Sequence, residues 1–511
     1  MLDVDRLAAF LHGKGVEPGR FVGVFMSNSP EMVMTMLALQ KLGAVAALLN
    51  INLRGMPVLS MNGFWHSRHA DEEAIPDGPL EHCLGVSKAT MVLSTPELSD
   101  AMCGSLPHFA LSLGSFADGP IPKSPGISLV TPSDLPETNA AATLSPVKRA
   151  PRDLACLVFT SGTTGMPKAC GIRNMLMIIS ATTHAADFFN PQKYLPARIY
   201  SALPLFHGTA LFGGFCNGIG TSSCLCLARK FSASRFFKDV TESRATKMLY
   251  VGELCRYLVN SPASPYDTAH NCRTAYGNGM RPEVWQKFQE RFNIPEIREF
   301  YRSTEGIGKF ENNGVGEWNA GKIAFAGPLR RWYEDDTFIV RHDPQTEQVF
   351  RDPTTGFCVR CGLGEPGEVI GRVRDRTTLT EYLGNPSATE EKLIKDVFRK
   401  GDLFQKMGDL ALQDGDGWVH FHDRIGDTFR WKGENVSAGE VKGHIAALPG
   451  VQDAIVYGLK LQRYDGKTGV AAVSLLNPDG GTSFMDGLYE SLKKRGVPPY
   501  AVPRLVRLTK E

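Results

Sequence analysis

The sequence has no long uninterrupted apolar run, no marked excess of charge of one sign and no completed Cys/His ligand set. Each absence narrows the field. The longest apolar-leaning stretch, VMTMLALQKLGAVAALL, is broken by Gln40 and Lys41. It predicts a core helix followed by a strand rather than a membrane span. The net charge of +2 gives no electrostatic ground for a nucleic-acid partner. Eleven cysteines are an odd number, scattered along the chain, and read as reduced thiols of an intracellular protein. CVRC at Cys358 to Cys361 fits C-x-x-C, but no second pair completes a zinc site and no helical pattern follows it as in a redox motif. No signal peptide is expected at the start: MLDVDRLAAFLHGKG reads as an amphipathic helix capped by Asp3, with Val4, Leu7, Ala8 and Leu11 inward. The phosphate-loop pattern G-x-x-x-x-G-K-[ST] is not matched at the Gly/Thr-rich stretch before Lys168, because Ala169 follows the lysine.

What is present is length and alternation. At 511 residues the chain exceeds one hydrophobic core, so two or three domains are expected. Short apolar runs alternate with helical patterns, which predicts an α/β fold. FVGVFM (Phe21 to Met26), AVAALL (Ala44 to Leu49), RIYSALPL (Arg198 to Leu205), TSSCLCLA and ATKMLYV are strand candidates. RPEVWQKFQERF is a helix with Val284, Phe288 and Phe292 on one face. Pro120 to Pro151, rich in Pro, Ser and Thr, reads as loop. After Gly426 a strand, a turn, a helix and two more strand candidates, VQDAIVYGLKL and GVAAVSLL, make a small α+β unit.

Chemistry concentrates in LVFTSGTTGMPKACGI (Leu157 to Ile172). A strand leads into Thr160, Ser161, Gly162, Thr163, Thr164, Gly165 and Lys168. Such a turn offers hydroxyls, a cation and backbone N–H groups, and its glycines let those N–H groups converge on an anion. Four further motifs follow: YGNGMRP (Tyr276 to Pro282), YRSTEG (Tyr301 to Gly306), GDLALQDGDGWVHFHDR (Gly408 to Arg424) and GDTFRWKGENVSAGEV (Gly426 to Val441).

In this order the motifs resemble those of the adenylate-forming superfamily of acyl-CoA synthetases, luciferases and peptide-synthetase adenylation domains, over nearly the whole chain. FRWKGENVS, GNGMRPEVWQKFQERF and LPLFHGTALFGG are particularly close to the fatty-acid transport protein and very-long-chain acyl-CoA synthetase branch. The resemblance implies a large multi-subdomain N-terminal AMP-binding domain over 1–425 and a small mobile α+β C-terminal domain over 426–511, incomplete at its end. It implies ATP-dependent ligation of a long- or very-long-chain fatty acid to CoA through an acyl-adenylate, with Mg2+ accompanying ATP. A non-catalytic fatty-acid transport or binding protein, and a CoA ligase for another carboxylic acid, are the alternative functions. By the same resemblance the protein is expected to associate peripherally with a membrane: endoplasmic reticulum, peroxisome or lipid droplet.

The resemblance also implies residue roles. Thr160 to Gly165 and Lys168 would hold the ATP phosphates. Glu305 would be the Mg2+-associated carboxylate and Thr304 the hydroxyl near the α-phosphate. Tyr301 would stack on adenine, with Gly277, Asn278 and Gly279 on its other side. Asp409 and Arg424 would meet the ribose. His207 would sit near the substrate carboxylate, with Phe206, Phe212 and Phe215 as the acyl wall. Gly426 would be the hinge, and Lys432, Gly433 and Glu434 would serve thioester formation.

Three features depart from the family pattern. Arg302 stands where the family generally has Gly, and a guanidinium there would either pair with phosphate or crowd the adenine. Met56 to Gly78 is an expected insertion, a solvated loop or an intron-derived segment, between pieces the family joins directly. The segment carrying the family's C-terminal lysine has no match after PPYAVPRLVRLTKE, Lys510 lying too close to PRLVRL. Both ends are therefore expected to be short and adenylation to be impaired.

Overall fold

Alternating burial explains why the first strands are apolar almost throughout. In the computed structural model, Val22 and Val24 of β1 (Phe21–Phe25) join one hydrophobic cluster, while Phe25 joins another on the opposite face. In β2 (Val45–Leu48), Ala46 and Leu48 face the first cluster and Val45 and Ala47 the second. A strand covered on both faces has no need of polar alternation. The structure describes residues 2–53, 78–101, 106–114, 121–137, 144–161, 166–182, 197–314, 316–325, 327, 329, 335–343, 346–425, 428–431, 434–460, 467–477 and 481–509.

The chain packs as two units. The first is Met1–Ile307, Glu311–Gly321 and Asp375–Glu391; the second is Gly308–Phe310, Lys322–Arg374 and Lys392–Glu511. In the first unit, β1 and β2 join β3 (Met91–Ser94), β4 (His108–Leu111), β5 (Ile127–Val130), β6 (Leu154–Ser161) and β7 (Pro167–Arg173) in the order β5-β4-β3-β1-β2-β6-β7. All neighbours are parallel except β6 and β7, which form an antiparallel pair. A second sheet runs β13-β12-β11-β10-β8-β9, from β8 (Arg198–Ser201), β9 (Cys224–Leu227), β10 (Lys247–Val251), β11 (Thr274–Asn278), β12 (Glu296–Tyr301) and β13 (Phe310–Asn312). Its strands from β12 to β9 are parallel. The two sheets share one core, from Leu7 and Leu39 through Leu249 to Phe288 and Phe292.

Local signals explain several boundaries. Ser29 caps the helix Pro30–Leu42 by accepting from the Met32 N–H, and Gly43 closes it in the left-handed region. The helix Pro282–Phe292 buries Val284, Phe288 and Phe292 as the spacing predicts, together with Trp285. Asp3 is not a cap: the opening helix is Leu2–Gly13 and Asp3 lies in its first turn, where a carboxylate faces the positive end of the helix dipole. Val4, Leu7, Ala8 and Leu11 are buried as expected. The reading of Pro120 to Pro151 as loop misses β5, which is held by tertiary pairing with β4 rather than by its own periodicity. β8 ends at Ser201, short of the expected Leu205, because Leu203 and Leu205 instead bond to Asn28.

The second unit is built on mostly antiparallel sheets, its one parallel pair among the described strands being at the C-terminal end. β14 (Ala324–Phe325), β15 (Thr337–Val340), β18 (Gly367–Arg372), β20 (Leu403–Gln413) and β21 (Trp418–Arg424) lie in the order β14-β21-β20-β18-β15, with β19 (Leu393–Lys395) also on β20. The small strands β16 (His342–Asp343) and β17 (Gln348–Val349) form a separate pair. Phe338, Val340, Ile370 and Phe404 form a core here. Beyond it, β22 (Thr428–Trp431) pairs with β23 (Glu434–Ser437), and β24 (Val451–Lys460), β25 (Lys467–Leu475) and β26 (Leu505–Thr509) form a sheet. Phe429, Val441, Ile445, Ala471, Leu488 and Leu492 belong to a second, separate cluster.

Of the expected insertion Met56 to Gly78, only Gly78 is described; it precedes the helix Pro79–Ser87, and the rest lies outside the described residues. Among the described residues, no helix is long and apolar enough to cross a membrane.

Candidate functional site

β6 and β7 converge on the Gly/Thr-rich turn. Thr160 is paired with Lys168 and Ser161 with Pro167. Gly162, Thr163, Thr164 and Gly165 lie outside the described residues, as does the side chain of Ser161.

Residues 381–383 run beside β7. The Gly171 N–H donates to the Glu381 carbonyl at 3.0 Å, and the Leu383 N–H donates to the Ala169 carbonyl at 2.8 Å. This places Tyr382 against two predicted site residues. The Lys168 Nζ is 5.4 Å from its ring centroid, and its hydroxyl donates to Glu305 Oε1 at 2.9 Å. Glu305 and Tyr382 are both buried. Burial, and then the neighbouring carboxylate, push the Tyr382 phenol far above its ordinary range, so it stays a protonated donor. Lys168, Tyr382 and Glu305 thus form a contiguous cation, ring and carboxylate.

A second junction lies at His207 to Thr209. Asn28 is buried in the segment after β1; its amide donates to the Leu203 and Ala228 carbonyls, and its oxygen accepts from the Leu205 N–H. This ties the first sheet to the turn that presents His207. A Cβ built on Gly208 would stand 3.7 Å from Thr304 Oγ1, and the Thr209 hydroxyl donates to Asn278 Oδ1 at 3.2 Å. The turn therefore lies beside both the YGNGMRP and the YRSTEG segments. The Phe206 ring is buried and 4.7 Å from the His207 ring. Burial lowers the His207 pKa, leaving the imidazole neutral at pH 7. A π-helical turn, Leu211–Cys216, follows, with Phe215 buried and Phe212 packed on the same core.

β11 and β12 end side by side at Asn278 and Tyr301, the carboxyl edge where parallel sheets take ligands. Gly277 is required by packing, because a Cβ there would stand 2.1 Å from the Tyr250 carbonyl oxygen. Gly279 is required by conformation, at φ +79. Arg302 turns to Glu311, at 3.5 Å.

The remaining candidates belong to the second unit. Asp409, buried on β20, is the cross-strand partner of Arg424 on β21, with Nε to Oδ1 at 3.4 Å. Glu434 begins β23 opposite Trp431. Gly426, Lys432 and Gly433 lie outside the described residues.

The AMP-binding enzyme family matches residues 1–372. The chain belongs to that family. This AMP-binding enzyme is 34% identical to the very long-chain fatty acid transport protein of Saccharomyces cerevisiae, covering 99% of this chain and 74% of that one. It is 35% identical to the medium/long-chain-fatty-acid–CoA ligase FadD6 of Mycobacterium tuberculosis, covering 99% and 76%. Its fold matches ATP-bound MatB from Rhodopseudomonas palustris with a TM-score of 0.70 at 21% identity, covering 100% and 88%. The adenylate-forming fold expected from the motifs is the fold of this enzyme.

Sequence reading of the AMP-binding enzyme missed three residues that organise the site: Asn28, Glu299 and Tyr382. Asn28 lies between β1 and the helix Pro30–Leu42 and carries no motif signal. Glu299 sits two residues before Tyr301 and carries no motif signal. Tyr382 is separated from Glu305 by 77 residues, so only the fold brings the pair together.

Proposed function

We propose that this acid–thiol ligase joins a long- or very-long-chain fatty acid to CoA through an acyl-adenylate. The observation that carries the reading is the Lys168–Tyr382–Glu305 cluster beside Thr304 and His207, in a chain with near full-length similarity to fatty-acid transport proteins and a fatty-acid–CoA ligase. In the first half-reaction a carboxylate oxygen attacks the α-phosphorus of ATP and the bond to pyrophosphate breaks. Lys168 and the Thr160–Gly165 turn hold the phosphates, and Thr304 lies toward the α-phosphate. Neutral His207 orients the acid without adding charge, and Phe206 begins the apolar wall. Catalysis of this kind is mostly positioning and charge neutralisation.

Glu305 suits a Mg2+ ion carried in on the phosphates. It is a buried oxygen donor steadied by a hydroxyl, and among the described residues no group of three or more His, Cys, Asp or Glu forms a metal cage of its own. Mg2+ would supply neutralisation of the phosphate charge. Tyr301, Gly277, Asn278 and Gly279 are the proposed base site, and Asp409 with Arg424 the proposed acceptor and donor for the ribose.

In the second half-reaction the CoA sulfur attacks the acyl carbon, AMP leaves and the thiol proton passes to solvent. Residues 426–511 are proposed to turn about Gly426 for this step, bringing Lys432, Gly433 and Glu434 into play. Their separate hydrophobic cluster supports movement as a body. Peripheral membrane association fits a substrate that partitions into bilayers. The test is ATP–pyrophosphate exchange and acyl-CoA formation with acids of graded chain length, benzoate and a dicarboxylate. Exchange confined to the short or aromatic acids would refute the fatty-acid assignment. Fatty-acid binding without exchange would indicate a transport protein.

A further inference from the structure

We propose that Glu299 is a positioning residue for the nucleotide, its buried carboxylate pinning the turn Gly277–Met280 that forms one side of the base site. The inference rests on the assignment of that turn to adenine made above. Side chains of β12 alternate, and Ile297, Glu299 and Tyr301 face the buried side. Glu299 therefore shares a strand face with Tyr301, the ring proposed to stack on the base. Its Oε2 accepts from the Gly279 N–H at 2.9 Å, and its Oε1 accepts from the Met280 N–H at 2.8 Å and from the Tyr250 hydroxyl at 2.7 Å. Both carboxylate oxygens are used on the turn, so the chain cannot leave its left-handed path at Gly279 without stranding an anion.

The surroundings are apolar and uncharged. Tyr250 faces Glu299 from β10 and Cys255 from the helix Gly252–Asn260; the turn contributes only N–H groups; Tyr276 of β11 lies against Tyr250. Arg298, next in sequence, is paired with Glu296 instead. An anion held by dipoles alone in this setting is finely balanced: burial raises its pKa to about 7, against the opposing effect of the three donors. The proton has a place to go. The Tyr250 hydroxyl also lies 3.2 Å from the Arg298 carbonyl. When Glu299 takes up a proton it donates to the Tyr250 oxygen, and Tyr250 donates to that carbonyl. The two turn N–H groups then face a neutral acceptor, a weaker hold than an ionised one. The base site is firm above neutrality and slack below it.

The experiment measures equilibrium binding of AMP to the full-length chain from pH 6 to 8.5, for wild type, Glu299→Gln and Tyr250→Phe. Each variant is expressed as a ratio to wild type, which cancels the titration of the AMP phosphate. Glutamine offers one oxygen for two N–H groups, so E299Q binds about tenfold more weakly at pH 8 and approaches wild type at pH 6. Y250F withdraws a donor from the carboxylate and moves the wild-type inflection upward by about one pH unit. It leaves the Gly279 and Met280 N–H bonds to Glu299 in place and decides the question even if E299Q folds poorly. A flat E299Q ratio within twofold of wild type, or an unmoved inflection in Y250F, overturns the pin while leaving nucleotide binding intact. A wild-type chain that binds no AMP overturns the nucleotide assignment together with the pin.

Discussion

Replacing Tyr382 with Phe removes one hydroxyl and little else. The ring stays, so Lys168 keeps its contact at 5.4 Å, worth about 0.5–1 kcal/mol. What is lost is the 2.9 Å bond to Glu305 Oε1, with the hydroxyl's weaker interaction with Thr160. A hydrogen bond to a charged acceptor contributes about 1.5–3 kcal/mol, and this one is buried, where water cannot readily substitute. If the bond holds the carboxylate where the phosphates and their cation arrive, that energy is lost from the transition state. The expected fall in kcat/KM for ATP–pyrophosphate exchange is then about 10- to 150-fold. The hydroxyl outweighs the ring in this count. Tyr382→Ala would add only a few-fold in activity but would open a cavity costing about 3–5 kcal/mol in stability, which makes Phe the sharper probe. The assay is exchange with oleate at saturating Mg2+, alongside thermal melts. Tyr382→Phe within twofold of wild type would refute the claim that this bond positions Glu305.

Lys168→Ala should raise KM for ATP more than KM for the acid, because the cation is assigned to phosphate; equal rises would reassign it. His108, buried at the start of β4 and bonded to the Ser94 hydroxyl at 2.7 Å, has its pKa lowered to about 4 by burial. The unfolded chain binds this proton below about pH 6.5 and the folded chain does not, so its contribution is full above pH 6.5 and is lost as pH falls toward 4. Wild type should lose up to about 3 kcal/mol relative to His108→Asn over that window, read as a difference in unfolding midpoints. Parallel pH curves for the two proteins would exclude it. Gly277→Ala should destabilise the fold by about 1–3 kcal/mol or more and weaken AMP binding, because the new Cβ meets the Tyr250 carbonyl at 2.1 Å. A variant with unchanged melting temperature and AMP affinity would show that the turn has room.

The parts legible in the sequence are those marked by a local pattern. β1, β2 and β10 lie where their apolar runs put them, and the helix Pro282–Phe292 buries the face that its spacing predicts. The parts that were not legible depend on contacts between distant segments. β5 is a strand only because β4 lies beside it. Tyr382 reaches Glu305 only because residues 381–383 run along β7. Glu299 gave no signal because a carboxylate in an alternating strand reads as solvent-facing, and only the turn at Gly279 and Met280 explains its burial. Arg302, the departure expected to meet phosphate or crowd adenine, forms an ion pair with Glu311.

The central claim is that Glu305 serves fatty-acid adenylation in this chain. The most direct measurement is oleate-dependent ATP–pyrophosphate exchange by the purified protein and by Glu305→Ala, with AMP binding measured in parallel. The account predicts exchange in the wild type, a loss of about a hundredfold or more in Glu305→Ala, and AMP affinity that changes far less. Undiminished exchange in Glu305→Ala would contradict it.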